Sequence, residues 1–155
     1  MPKAAPLQVL IVEDEAILVM DLSMMVEDAG CMVVAEAPSL PSVAALAKDL
    51  NPDLAFVDVQ LAEGSSGLEV STLIQQRWPD TFIVFVTANS KSVPADFGGA
   101  QGVIPKPFSR NGIISALRYI EQGIRHPPPA EPMPPSFTPA PALAAQWTSS
   151  TPVHR

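Results

Sequence analysis

The chain has 155 residues, 47% of them hydrophobic, which suits one domain with a sizeable core. Its formal net charge of −7 argues against nonspecific nucleic-acid binding, which needs clustered Lys and Arg, while local acidic clusters can hold cations. One cysteine, Cys31, excludes an intrachain disulfide framework and a thiolate zinc site, and fits a reducing cytoplasm. Cys31 is expected as a small residue near a strand start. The opening "MPKAAPLQVL" lacks the long apolar region of a signal peptide, and no stretch approaches the ~20 apolar residues of a membrane span. A cytoplasmic location with no membrane or nucleic-acid partner is therefore expected.

From residue 7 onward, short apolar runs alternate with helical patterns. "QVLIV" precedes "EAILVMDLSMMVEDAG", "MVVAEA" precedes "LPSVAALAKDL", and "DLAFVDV" precedes "SGLEVSTLIQQRW". "TFIVFVT" precedes the weaker "SKSVPADFGGA", and "GVIPK" precedes "SRNGIISALRYIEQG". The strand runs are mostly continuous rather than alternating, as in parallel strands covered on both faces. The pattern predicts an open α/β three-layer sandwich, with right-handed crossovers placing helices on both sides. Half of the 18 prolines fall after His126. That segment has few backbone donors and little periodic apolar pattern. The expected organisation is a flexible N-terminus over 1–6, one domain over 7–125 and a disordered, proline-rich tail over 126–155. In that tail, Met133, Phe137 and Trp147 are the large apolar groups available to dock on the domain or on a partner.

In open α/β sheets, sites lie beyond the carboxyl ends of the strands. The first strand ends in Glu13-Asp14-Glu15, the third in Asp58, the fourth in Thr87 and the fifth in Lys106. Each alone has a plain explanation: acidic residues cap helices, Asp forms turns, and a strand-end Lys is solvated. Four such ends together point to one pocket. Clustered carboxylates disfavour joint ionisation unless a cation joins them, and oxygen-only donors suit Mg²⁺. A carboxylate nucleophile can form an acyl phosphate. Asp58 is the candidate, because it stands alone on the central strand. Lys106 would supply a fixed cation, and Thr87 a hydroxyl for a phosphoryl oxygen.

With those residues in place, the chain resembles the receiver domain of two-component response regulators. "LIVEDE", "PDLAFVDVQL", "IVFVTAN" and "IPKPF" carry the resemblance, which covers roughly 7–124. It implies a flavodoxin-like, doubly wound, five-stranded parallel sheet in the order 2-1-3-4-5. It implies that Asp58 accepts a phosphoryl group from a phosphohistidine on a sensor histidine kinase or histidine phosphotransfer protein. It further implies Asp14 as a direct Mg²⁺ ligand, Glu13 acting largely through water, and the Gln60 backbone carbonyl completing the protein ligands beside Asp58. Thr87 and Lys106 would bind the phosphoryl oxygens. The implied role is a phosphorelay switch that catalyses only its own phosphorylation and dephosphorylation, rather than an enzyme acting on other substrates.

Departures from the family pattern sharpen the expectations. Val103 stands where an aromatic switch residue is frequent, three residues before Lys106. Pro94 and Gly98-Gly99 interrupt the fourth helix, so a long, regular helix is not expected there. Pro107 after Lys106 matches the family and suits a cis or strained turn. About thirty residues follow the domain, too few and too proline-rich for a helix-turn-helix, so the chain reads as a stand-alone receiver, monomeric or weakly dimeric. It would act by protein contact or onward phosphotransfer.

On the first helix, Leu18, Leu22, Met25 and Ala29 form the expected core stripe. Ile17, Met20 and Met24 form a second stripe nearly opposite, which suits docking of the phosphodonor or cover by another part of the chain. Two other readings remain. An aspartyl-phosphate phosphohydrolase needs a second Asp two residues after the nucleophile, where this chain has Gln60. A pseudo-receiver would bind partners without phosphorylation.

Overall fold

The computed structural model describes residues 5–148. The first four residues of the expected flexible N-terminus and the last seven of the expected tail, including His154, lie outside the described residues. The sheet is built from β1 (Gln8–Val12), β2 (Met32–Ala37), β3 (Leu54–Asp58), β4 (Phe82–Thr87), β5 (Gly102–Pro105) and β6 (Thr138–Pro139). The order is β2-β1-β3-β4-β5-β6. The first five strands are parallel and in the expected order, and β6 adds antiparallel to the β5 edge.

The continuous apolar runs explain the layering. Successive side chains on a strand point to opposite faces. Val9, Ile11, Leu54, Phe56, Val84, Val86 and Ile104 face one core. Leu10, Val12, Ala55, Val57, Ile83, Phe85 and Val103 face the other. Helices α1 (Ala16–Asp28) and α4 (Arg110–Arg125) cover the first face, and α2 (Leu40–Ala44) and α3 (Gly67–Arg77) the second. Every residue of β3 and β4 is buried, so these two strands form the rigid centre. Fully burying each such Val, Ile, Leu or Phe contributes about 1.5–3 kcal/mol. Cys31 is buried in the first core, and that burial pushes its thiol up to about 11, leaving it unreactive.

Two elements differ from expectation. The second helix stops at Ala44, short of the expected run to Leu50. The Arg77 guanidinium donates to the carbonyls of Val43, Ala44 and Leu46, and the Trp78 indole to that of Lys48, so α3 satisfies acceptors that a longer α2 would have used internally. On α1 the fully buried residues are Leu22 and Val26, flanked by half-buried Val19, Met25 and Ala29, so the core stripe is shifted from the one expected. Between β4 and β5 the expected absence of a long, regular helix is met: the chain makes two short 3₁₀ turns, Ser90–Ser92 and Phe97–Gly99. Phe97, Gly98 and Gly99 all have positive φ (60°, 58° and 90°), which no right-handed helix accommodates.

The third difference is the largest. Residues 126–148 do not form the expected disordered segment. After α4 the chain turns back, adds β6 beside β5, and ends the described region in helix α5 (Pro141–Thr148). Phe137, Ala140 and Leu143 are buried, and Trp147 stacks on Phe82 with ring centroids 5.4 Å apart. Met133 stays exposed. Few hydrogen bonds are needed to hold a proline-rich chain when its aromatic side chains find apolar sockets.

Candidate functional site

The site lies where β1, β3 and β5 end together. Register sets this: Val12 pairs with Val57, one residue short of Asp58, and Thr87 pairs with Pro105, one residue short of Lys106. The Lys106 amide donates to the Thr87 carbonyl at 2.8 Å, anchoring the lysine's backbone to β4. The Lys106–Pro107 peptide is cis.

The Lys106 ammonium bridges two carboxylates, donating to Glu13 Oε1 at 2.9 Å and Asp58 Oδ2 at 3.1 Å. Their side chains are only 5% and 8% exposed. The other Asp58 oxygen accepts from the Gln60 amide at 3.1 Å, and the other Glu13 oxygen from the Asp14 and Glu15 amides at 3.1 Å. Glu13 thus ties down the turn between β1 and α1 and faces the pocket, but it does not cap the helix, whose N-cap is Glu15. Burial pushes its carboxyl above the usual range, against the opposing effect of Lys106. Burial by itself disfavours the Lys106 ammonium, but its hydrogen bonds to Glu13 and Asp58 and their charges outweigh this, so its pKa is raised.

Asp14 is exposed, and its side chain has no hydrogen-bond partner among the described residues. Glu13, Asp14 and Asp58 offer oxygen atoms within 4.8 Å of one another. Three ionised carboxylates and one ammonium leave a formal charge of −2, which one divalent cation balances. The donors are all oxygens and one edge is open to water, so the residues present fit a hard cation that retains water ligands.

Thr87 is buried beside this group, yet its hydroxyl is turned into its own loop, donating to the Asn89 carbonyl at 3.3 Å and accepting from the Asn89 amide at 3.0 Å. It makes no hydrogen bond to Asp58 among the described residues. Val103 is buried in the second core, so no aromatic ring occupies that place.

One residue escaped the sequence reasoning. Gly67 opens α3 against the back of Asp58, and its amide donates to the Val59 carbonyl at 2.7 Å. A Cβ there would collide with the Asp58 carbonyl oxygen and lie 2.7 Å from Val59 Cα. The available signal was the glycine that closes the strand-end turn "AEGSSG" and opens the following helical pattern.

Two clefts reach the site on either side of α1. One, of about 560 Å³, is lined by Glu13, Asp14, Met20, Met24 and Glu36. The other, of about 360 Å³, is lined by Leu18, Met25, Lys106, Pro107 and Phe108. Ile17, Met20 and Met24 are exposed (74%, 63% and 60%), and the packed C-terminal segment lies elsewhere. Cover by another part of the chain is therefore not found among the described residues. No helix among the described residues is long and apolar enough to cross a membrane.

Comparison with known proteins agrees with this geometry. The family model of the response regulator receiver domain matches residues 9–118. The transcriptional regulatory protein PdtaR of Mycobacterium tuberculosis is 31% identical over 116 residues, covering 74% of this chain and 56% of PdtaR. The phyllosphere-induced regulator PhyR of Methylorubrum extorquens is 29% identical over 123 residues, covering 76% of this chain and 46% of PhyR. The chain thus spans about half the length of these curated relatives. The solution structure of the PhyR receiver domain of Erythrobacter litoralis superposes with a TM-score of 0.68 at 25% identity, covering 83% of this chain and 96% of that one. A carboxylate on the central strand, a lysine bridging it to a second acidic strand end, and a family match across the five parallel strands make this chain a member of the response regulator receiver domain family.

Proposed function

We propose that Asp58 accepts a phosphoryl group from a phosphohistidine on a sensor histidine kinase or histidine phosphotransfer protein, and that the chain signals by the resulting change of shape. The reading rests above all on the Lys106 bridge, which holds Asp58 and Glu13 together at the mouth of the fully buried β3. An Asp58 carboxylate oxygen attacks phosphorus, the phosphorus–nitrogen bond breaks, and the imidazole leaves with the electron pair. Lys106 follows the developing negative charge, exchanging its contact with Asp58 Oδ2 for a phosphoryl oxygen. The Thr87 hydroxyl leaves Asn89 and donates to another. Asp14, Asp58, the Gln60 carbonyl and, through water, Glu13 would hold Mg²⁺, which supplies the remaining charge neutralisation. Phosphorylation adds roughly −1.5 to −2 of charge, by analogy with other phosphoresidues. The conformation that best pairs this charge is then favoured.

The catalytic work is confined to the chain's own phosphorylation and dephosphorylation, in the cytoplasm. The signalling unit is residues 7–125, with 126–148 as its covering segment. Ile17, Met20 and Met24 form the docking patch for the phosphodonor, since Met20 and Met24 line the cleft that leads to Glu13 and Asp14.

Incubation with acetyl phosphate and Mg²⁺, followed by intact mass, tests the assignment. The wild-type chain gains one phosphoryl group and Asp58→Ala gains none. A wild type that gains nothing, or an equal gain in the variant, would sink it. A phosphorylated histidine phosphotransfer protein as donor probes docking in the same assay. Met20→Glu/Met24→Glu slows that transfer at least tenfold and leaves uptake from acetyl phosphate unchanged.

A further inference from the structure

The segment "PPSFTPAPALAAQWT", residues 134–148, follows the receiver unit and covers one particular face. That face is the edge of β5 together with the adjoining side of α4. A bare strand edge presents unpaired amides and carbonyls and invites another strand. Here β6 pairs Thr138 with Val103 and Pro139 with Gly102, and the Ala140 amide donates to the Gln101 carbonyl at 2.8 Å. The Ser136 hydroxyl donates to the Gly112 carbonyl at 2.8 Å.

Two sockets receive aromatic rings. The Phe137 ring lies where a Cβ on Gly102 would project, and Tyr119 flanks it at 5.9 Å between centroids. The Trp147 ring lies where a Cβ on Gly123 would project, stacked on Phe82 and edge-on to Tyr119 at 5.4 Å. Gly123 sits inside α4, where glycine is disfavoured relative to alanine. Its presence is accounted for by the tryptophan it admits.

The backbone hold is slight. β6 has two residues, Pro139 and Pro141 have no amide to donate, and a cleft of about 570 Å³ remains beside Trp147, lined by Pro79, Phe82, Gln101 and Ile124. Although Phe137 and Leu143 join the first core, the segment is seated as a peptide ligand is: a strand added to an edge, with side chains in pockets.

We propose that the β5 edge and the adjoining face of α4 form a peptide-binding surface, occupied in cis by residues 134–148. A partner reaching this surface must displace that segment. Such a partner would present an extended strand with an aromatic residue in the Gly102 socket, followed by a short helix placing a tryptophan in the Gly123 socket.

The test uses the full chain and a fluorescein-labelled peptide of residues 134–148. Phe137→Ala/Trp147→Ala empties both sockets without altering them. It should bind the peptide saturably and at least tenfold more tightly than wild type, whose own segment competes. Adding Gly123→Ala to that variant should abolish binding. Equal binding to wild type and the double variant, no binding to either, or indifference to Gly123→Ala would overturn the proposal. If the double variant dimerises, reversal by the peptide supports the proposal, because the same face is contested; dimerisation that the peptide leaves intact overturns it. Gly123→Ala alone provides a check that needs no peptide. Alanine suits the helix, so the fold stands, while Trp147 is expelled and hydrogen exchange at the Ala140 amide rises at least tenfold with β3 amides unchanged. Unchanged exchange at Ala140 would overturn the proposal.

Discussion

Gly67→Ala is expected to destabilise the chain by about 2–3 kcal/mol and lower its melting temperature by about 10 °C. An alanine at an ordinary helix position would do the opposite, because it gains up to about 1 kcal/mol of helix propensity over glycine. The difference is what lies behind the residue. The added methyl meets the Asp58 carbonyl oxygen and Val59 Cα, which belong to backbone and cannot rotate away. β3 cannot retreat, since every one of its residues is buried between two cores. Nor can α3 retreat freely, because the Gly67 amide is held by the Val59 carbonyl and Val70 and Ile74 are buried in the second core. Strain is therefore delivered to the peptide that carries Asp58, and uptake of phosphate from acetyl phosphate should slow with it. Ser66→Ala is the control, removing only the cap bond to the Leu68 amide at a cost of about 1 kcal/mol. Chemical denaturation of the two variants decides the matter. A Gly67→Ala chain as stable as wild type would show that α3 is not seated against Asp58.

Why the site was legible and the tail was not follows from where the information lies. Asp58, Thr87 and Lys106 each sit at the end of a continuous apolar run, and the topology of a parallel sheet brings such ends together whatever the loops do. Residue type and place along the strand were therefore enough. The Lys106 bridge to Glu13 joins residues 93 positions apart, and only the folded register of β1, β3 and β5 decides that the two meet. The C-terminal segment depends on isolated matches between an aromatic ring and a glycine, Phe137 with Gly102 and Trp147 with Gly123. Such pairs leave no period and no composition signal, while nine prolines in the last thirty residues send a strong contrary one. On α1, apolar residues line nearly the whole circumference, so periodicity could not choose the buried side. The sheet and α4 made that choice, turning Val26 inward and leaving Met20 and Met24 in water.

Lys106→Met should be the most damaging change at the site, in both stability and chemistry. Methionine keeps the stem's apolar contacts and removes the ammonium. What remains is the Glu13 and Asp58 carboxylates, 5% and 8% exposed, with no cation between them. Breaking a buried pair in this way costs about 3–5 kcal/mol; the open edge at Asp14 moderates this to about 2–4 kcal/mol. The loss should depend on pH with a definite sign. In the wild type, burial already holds the Glu13 pKa above its unfolded value of 4.5. Between those two values the folded chain binds more protons than the unfolded one, so this carboxyl's contribution to stability rises as pH falls and levels off below 4.5. Lys106 opposes that shift through its hydrogen bond and its charge, so removing it moves the folded pKa further up and widens the window. The gap between wild type and variant should therefore be largest near neutrality and shrink on acidification. Urea denaturation at pH 7.5 and pH 5 measures it, and a gap independent of pH would show that Glu13 does not carry the penalty. Added Mg²⁺ should stabilise the variant more than the wild type, because the variant's three carboxylates then carry −3 rather than −2. Phosphate uptake from acetyl phosphate should nevertheless fall by about 10²-fold, since the proposed mechanism uses the Lys106 ammonium, held just past the end of β5, to meet the developing charge.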